Sequence, residues 1–140
     1  MFVVYAMKNS SIVTICLVMI LALNVAACKP RDESILIGIY VADNSIVKEQ
    51  LTLNSDGSFV QNVKLNSKLD SDTTRGRWTY DPRSGYISFD SNYMQVLNGL
   101  KKIKKDYNKN LTSAYLPVDV YFSCVLIGTS ENVLYKKVGP

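Results

Sequence analysis

Histidine is absent from this chain of 140 residues, and glutamate is rare. Without an imidazole, the Ser-His and Cys-His arrangements that activate nucleophiles are excluded, and so is metal ligation by histidine. A pair of carboxylates could still hydrolyse a glycosidic bond. The glutamates, however, are Glu33, Glu49 and Glu131, and the pattern around them indicates a polar segment, a strand and a turn. We therefore predict that the protein is not an enzyme.

Complete metal-binding and phosphate-binding motifs are also missing. The triplet Asp70-Ser71-Asp72 is similar to the start of a calcium loop, but the glycine and the distal glutamate of that motif do not follow. No glycine-rich phosphate loop occurs. The sequence therefore predicts neither a metal nor a cofactor.

The N-terminal segment carries an apolar stretch at residues 12–25, preceded by one cation, Lys8. These about 14 residues are fewer than the roughly 20 that a helix needs to span a bilayer, which argues against an uncleaved membrane anchor. A charged start, an apolar middle and small residues at the end are typical of a secretory signal. We therefore predict that the protein is exported from the cytoplasm.

The segment closes with Val25, Ala26, Ala27 and Cys28, which resemble the lipobox of bacterial lipoproteins. The resemblance implies that diacylglycerol alkylates the Cys28 thiol, that the chain is cut before this residue and that the new amine is acylated. Lys29 follows where Asp would retain the protein in the inner membrane, which implies anchoring in the outer membrane on its periplasmic face. We therefore expect a signal peptide at residues 1–27, a lipid-anchored tether at 28–34 and one domain at 35–140.

Cysteine is scarce in the rest of the chain. With Cys16 in the signal peptide and Cys28 carrying lipid, Cys124 has no partner within its own chain, so no internal disulfide stabilises the domain. Cys124 alternates with Val118, Val120, Phe122 and Leu126, which predicts a buried, inert thiol on one face of a strand. Pairing between two chains is the alternative.

Apolar alternation and turn residues predict an antiparallel all-β domain of about seven strands. The clearest hairpin is Asn54-Ser55-Asp56-Gly57, with Leu51, Leu53, Phe59 and Val63 on the core face of its strands. Asp81-Pro82-Arg83-Ser84-Gly85 indicates a second hairpin. The predicted strands cover residues 35–41, 47–53, 58–65, 74–80, 86–90, 117–127 and 133–138.

One segment has a different period. Apolar residues recur there at steps of three and four, and Ser91 or Asn92 could cap its start, which predicts an amphipathic helix near residues 92–107. Asn98-Gly99 in the middle favours a loop with a helical end as the alternative. The recurring residues are Met94, Leu97, Leu100, Ile103 and Tyr107.

Glycine and aromatic residues occur close together in four short segments, which are Gly38-Ile39-Tyr40, residues 51–59, residues 76–80 and residues 85–89. Together they resemble small bacterial lipocalin-like lipoproteins, with Tyr40 in place of the usual tryptophan. The resemblance spans about residues 35–89 and implies a meander that closes, fully or partly, into a small barrel.

A barrel of roughly eight strands is either filled by side chains or holds one small ligand. In a hollow barrel Tyr40, Phe59, Trp78 and Phe89 are the candidate ligand contacts, whereas in a filled one Phe59, Trp78, Phe89 and Phe122 form the core.

The formal net charge of +4 is concentrated in one lysine-rich segment. Lysines on a basic amphipathic helix could contact an anionic membrane surface or an acidic protein partner. The alternative is a helix across one end of the barrel with its lysines solvated. An exported protein is not expected to bind nucleic acid. The candidate contact residues are Lys101, Lys102, Lys104, Lys105 and Tyr107, and Lys109 adds to the charge.

Two functions follow from these observations. The first is a lipid-anchored module that binds another envelope protein, such as an inhibitor or immunity-type factor directed at a toxin or lytic enzyme. The second is a lipocalin-like carrier of a small apolar or amphipathic molecule. Tyrosine is enriched at interfaces and favours the first; the tyrosines expected in loops or on outward positions are Tyr86, Tyr93, Tyr107, Tyr115 and Tyr121.

Overall fold

The structure is a computed structural model that describes residues 29–98, 102–128 and 134–140. Its eight strands pair in sequence order, every pair is antiparallel, and β8 pairs with β1 to close a barrel. The predicted all-β meander is thereby confirmed, with eight strands in place of about seven. The strands are β1 (Gly38–Asp43), β2 (Val47–Leu53), β3 (Ser58–Leu65), β4 (Asp72–Asp81), β5 (Tyr86–Tyr93), β6 (Thr112–Tyr121), β7 (Cys124–Ile127) and β8 (Tyr135–Gly139).

The predicted hairpin between β2 and β3 forms because its residues suit a tight turn. Gly57 has a φ of 76°, which is costly for residues with a Cβ, and Asp56 accepts a hydrogen bond from the Ser58 backbone at 2.9 Å. Burial alternates along both strands, so that Leu51, Leu53, Phe59 and Val63 lie inside the barrel. The predicted core face of this hairpin is confirmed.

The additional strand arises from a hairpin that the sequence pattern does not indicate. Residues 117–127 were expected to form one strand, but Phe122 and Ser123 reverse the chain, and Tyr121 pairs with Cys124. Phe122 has a φ of 55° and is 99% exposed, so its assignment to the core is wrong. Cys124 is half-buried and has no disulfide partner among the residues that the structure describes. No Gly, Asn or Asp occupies the two turn positions, and the usual hairpin signal is therefore missing.

The helix expected near residues 92–107 is not formed by the residues that the structure describes there. β5 continues to Tyr93, the next residues are irregular, and Leu97 forms an isolated antiparallel bridge with Ile103. Met94, Val96 and Leu97 are buried against the barrel, so the apolar spacing reflects a connection that crosses its end. Asn and Gly at positions 98 and 99 have poor helix propensity. In the described part of the chain, no helix is long and apolar enough to cross a membrane.

The barrel has two distinct ends. At the tether end lie the start of β1, the 3-10 helix Glu33–Leu36, the turns after β2 and β4, and the Phe122-Ser123 hairpin. Leu36 is fully buried and its carbonyl accepts a hydrogen bond from the Tyr40 hydroxyl at 2.7 Å, which closes this end. At the far end lie the turns after β1 and β3 and the long connection between β5 and β6.

Gly76 on β4 is required by close packing. A Cβ at this position would lie 2.3 Å from Asp90 Oδ1 and 2.6 Å from Phe59 Cε1. Asp90 cannot move freely, because its carboxylate accepts hydrogen bonds from the backbones of Arg77 at 2.9 Å and Asn92 at 3.0 Å.

We expect Gly76→Ala to lower the free energy of unfolding by about 1–3 kcal/mol, the usual cost of overpacking. Gly139→Ala is the matched control, since the nearest atoms to its added Cβ would be 3.9 Å away. Urea unfolding of both variants measures the difference. Equal stabilities would show that Asp90 and Phe59 adjust without cost.

Candidate functional site

The four residues expected to contact a ligand in a hollow barrel do come together inside it. The Phe59 and Phe89 rings meet edge to face with centroids 5.1 Å apart, and Phe89 stacks on Tyr93 at 5.0 Å. Trp78 is buried and donates its indole N–H to the Asn54 carbonyl at 3.2 Å. Tyr40 and Phe59 have no surface that water can reach. The aromatic residues therefore fill this part of the interior by packing on one another.

A polar cluster lies inside the barrel beside the aromatic core. It consists of Glu49 on β2, Gln61 on β3, Tyr93 on β5 and Tyr135 on β8. Tyr135 donates its hydroxyl proton to Glu49 Oε2, and Gln61 Nε2 donates to the same oxygen at 3.0 Å. The hydroxyls of Tyr93 and Tyr135 also form a hydrogen bond, with their oxygens 3.0 Å apart. One carboxyl group thus joins three strands, and Tyr93 adds β5 to the cluster through Tyr135.

Gln61 also fixes the chain where it leaves β5. Its side-chain oxygen accepts a hydrogen bond from the Met94 backbone N–H at 2.8 Å, and its Nε2 donates to the Met94 carbonyl at 3.0 Å. This amide pair replaces the ladder hydrogen bonds that Met94 would make if β5 continued. The cluster therefore anchors the start of the long connection to the barrel interior.

Burial changes the ionisation of this cluster. Glu49 is 1% exposed, and the loss of hydration raises the pKa of its carboxyl group to about 7, although the hydrogen bonds from Tyr135 and Gln61 oppose the rise. Burial and the neighbouring carboxyl raise the pKa of Tyr135 well above its ordinary value. Glu49 Oε1 has no hydrogen-bond partner within the described residues. Because Glu49, Gln61 and Tyr135 are enclosed, the cluster stabilises the barrel and is closed to a substrate.

The sequence pattern contained a signal for this cluster. Glu49 alternates with Val47, Leu51 and Leu53, so period-two alternation assigns it to the core face. Gln61 holds the equivalent position between Phe59 and Val63 on β3. Two polar residues at core positions of neighbouring strands indicate a buried polar contact.

The lysine-rich connection differs from the amphipathic helix that was expected. Lys102 and Lys105 are exposed, whereas Lys104 donates to Gln95 Oε1 at 3.2 Å, and Lys101 lies outside the described residues. Tyr107 is buried and its hydroxyl donates to Asp72 Oδ2 at 2.5 Å, so its assignment as a contact residue is wrong. This hydrogen bond fixes the connection to the start of β4.

A shallow groove with a volume of about 200 Å³ runs between this connection and β6. The lining includes Tyr93, Val96, Ala114 and Tyr115. Tyr115 is exposed and stacks on Tyr86 with ring centroids 4.5 Å apart. Tyr115 and Tyr121 are exposed as expected, Tyr86 is half-buried, and Tyr93 and Tyr107 are in the core.

The chain enters the described structure at the tether end. The Lys29 ammonium group donates a hydrogen bond to the Ser84 carbonyl at 2.7 Å, and the Tyr80 hydroxyl donates one to the Pro30 carbonyl at 2.7 Å. Pro30 is buried, so part of the expected tether at residues 28–34 packs against the barrel. Cys28, the predicted lipidation site, lies outside the described residues.

The described residues offer no grouping of three or more Cys, Asp or Glu side chains that could hold a metal ion. Comparison of the chain with protein families, with curated proteins and with solved structures returns no match.

Proposed function

We propose that this protein is a non-catalytic lipoprotein of the cell envelope, anchored through acylated Cys28, whose barrel binds another protein at its far end. The observation that carries the proposal is the filled aromatic interior. A carrier needs a cavity of roughly 300 Å³ or more lined by its ligand contacts. The residues that would line such a cavity, Tyr40, Phe59 and Phe89, pack against other side chains. The exterior is then the surface available for recognition.

The far end has the chemistry of a protein-binding surface. An anchor at the tether end directs the far end away from the membrane, toward other envelope proteins. Lys102 and Lys105 are exposed there, and so are Ile103 and Leu69, the latter 95% exposed. Exposed lysines steer an acidic partner toward the surface, and apolar side chains beside them supply area that contact buries. The partner inferred is a protein with an acidic, partly apolar patch.

This chemistry agrees with an inhibitor or immunity-type factor. Such a protein needs no catalytic group, because it acts by covering the surface of a toxin or lytic enzyme. A rigid barrel suits the task, since a surface held in its bound conformation loses little entropy on association. The lipid anchor would keep the factor in the compartment that it protects.

Charge reversal at the far end tests the proposal. We expect the acylated protein to capture one protein from envelope membranes. The double variant Lys102→Glu, Lys105→Glu is expected to capture at least tenfold less of that protein. Raising the salt concentration is expected to weaken capture by the unchanged protein. Lys136→Glu is the matched control, because Lys136 is exposed on β8, away from the connection.

The other outcomes would contradict the proposal in distinguishable ways. Capture that is unchanged in the double variant would remove the far end as the binding surface. Capture of lipid or a small molecule alone would favour the carrier. The intact mass of the wild-type protein is measured beside that of Cys28→Ala. If neither mass includes acyl chains, the proposed anchor is wrong.

A further inference from the structure

The hairpin between β6 and β7 presents an aromatic side chain in an unusual way. Phe122 is 99% exposed and has a φ of 55°, a conformation that is an outlier for a bulky residue. Asn, Asp or Gly would satisfy the same turn without this cost. Strained backbone positions cluster at functional sites, and here the strained residue carries an exposed aromatic ring.

The hairpin projects beyond the neighbouring turn at the same end. The Val118 backbone N–H donates to the Gly85 carbonyl at 2.9 Å, which marks the level of the turn between β4 and β5. The chain continues four residues past Val118 to Phe122, or roughly 13 Å along an extended strand. Tyr121, the preceding residue, is also exposed.

The tether enters at that same turn. Lys29 and Pro30 are held by Ser84 and Tyr80, so the described chain begins beside the turn beyond which Phe122 projects. Only one peptide bond separates Cys28 from Lys29. Acyl chains on Cys28 would therefore bring the tether end, and not the far end, against the bilayer.

Further apolar side chains are exposed at the tether end. Ile35 lies on the 3-10 helix Glu33–Leu36, and Lys137 donates to its carbonyl at 2.9 Å, which places it beside β8. Val138, the next residue of β8, is 61% exposed. These two residues add apolar surface to the tether end.

We propose that the tether end of the barrel docks on the lipid surface and that Phe122 inserts among the lipids there as a second membrane contact. This inference rests on the proposed acylation of Cys28, which brings a bilayer to this end. Insertion of apolar side chains is the main interaction, because charges of both signs surround the site. The charged residues at this end include Lys29, Arg31, Arg77 and Arg83, and Asp32, Glu33, Asp56 and Asp81.

Docking at two points has a consequence for the proposed partner. An acyl anchor alone holds the barrel at one point and allows rotation about that point. A second contact through Phe122 restricts that rotation and holds Lys102 and Lys105, at the opposite end, toward the periplasm. The far end is then presented in one orientation.

The experiment places a tryptophan at the hairpin tip. Acylated Phe122→Trp is reconstituted in phosphatidylcholine vesicles, and its emission is measured with and without lipids brominated on their acyl chains. Acylated Leu69→Trp is the matched control, because Leu69 is exposed at the far end. Wild-type protein supplies the baseline from Trp78, which is buried.

We expect the tryptophan of the Phe122→Trp variant to be blue-shifted and strongly quenched by brominated lipid, and that of Leu69→Trp to emit as in water. Adding phosphatidylglycerol is expected to change the quenching little. If both variants emit as in water while intact mass shows the acyl chains, the anchor stands and this inference fails. If the mass shows no acyl chains and neither variant associates with vesicles, both fail together.

Discussion

Replacing Glu49 with glutamine is expected to abolish most of the pH dependence of stability between pH 5 and pH 8.5. Burial raises the pKa of Glu49 to about 7 in the folded protein, against 4.5 as the ordinary value. The folded state therefore binds this proton more tightly than the unfolded state does. The stability linked to Glu49 is complete below pH 4.5 and is lost as the pH rises through 7.

The size of the loss follows from the difference in pKa. Each pKa unit corresponds to about 1.4 kcal/mol, so the free energy of unfolding should fall by about 3 kcal/mol across this range. Glu49→Gln keeps the shape and an acceptor for Tyr135 but carries no charge. We expect its stability to be nearly constant and to exceed that of the wild type at pH 8.5. Urea unfolding at several pH values measures both curves.

Glu33→Gln is the control for this comparison, because Glu33 is exposed on the 3-10 helix at the tether end. We expect this variant to follow the wild-type curve. A Glu49→Gln curve parallel to the wild type would mean that Glu49 remains charged in the folded barrel, paired with a group or water that compensates for burial.

Phe59→Ala is expected to lower the free energy of unfolding by about 3–5 kcal/mol, the usual cost of truncating a fully buried phenylalanine. Phe59 is 0% exposed and packs edge to face on Phe89. Removing the ring leaves a cavity. The neighbouring strands cannot move in to fill it, because ladder hydrogen bonds hold β3 between β2 and β4. Denaturant unfolding, together with the melting temperature, measures the loss.

The same substitution at Phe122 provides a control that differs only in position. Phe122 is exposed in the hairpin after β6, so Phe122→Ala should change stability by about 0.5 kcal/mol or less. A small effect of Phe59→Ala would indicate that the ring lines a space already open in the wild type. That result would favour the carrier over the protein-binding module.

The outcome for individual elements shows where sequence reasoning succeeds. Alternation around Asn54-Ser55-Asp56-Gly57 predicts the β2–β3 hairpin and its buried face, because period two and turn chemistry are both local properties. For the connection at residues 94–98, the same reasoning gave a wrong prediction, a helix. Apolar spacing there satisfies a helical pattern, but the side chains are buried by the barrel end, a surface that other strands create.

The hairpin at Phe122 was not predicted from the sequence, for a related reason. Alternation across residues 117–127 is continuous in the sequence, and neither turn position holds a residue with a strong preference for positive φ. Tyr121 pairs with Cys124 in a sheet that β8 closes, because β8 pairs with β7 on one side and with β1 on the other. Closure is a property of the whole sheet, so no local window contains it.

By itself the sequence determined the all-β class, the main hairpins and the face of each that is buried, since these depend on neighbours along the chain. It also carries the motif at Cys28 from which the lipid anchor is proposed. Only the tertiary structure decided which end the tether occupies, that Phe122 lies outside, and that Glu49 meets Gln61 and Tyr135. These facts depend on strands up to 86 residues apart in sequence, which barrel closure brings within hydrogen-bond distance.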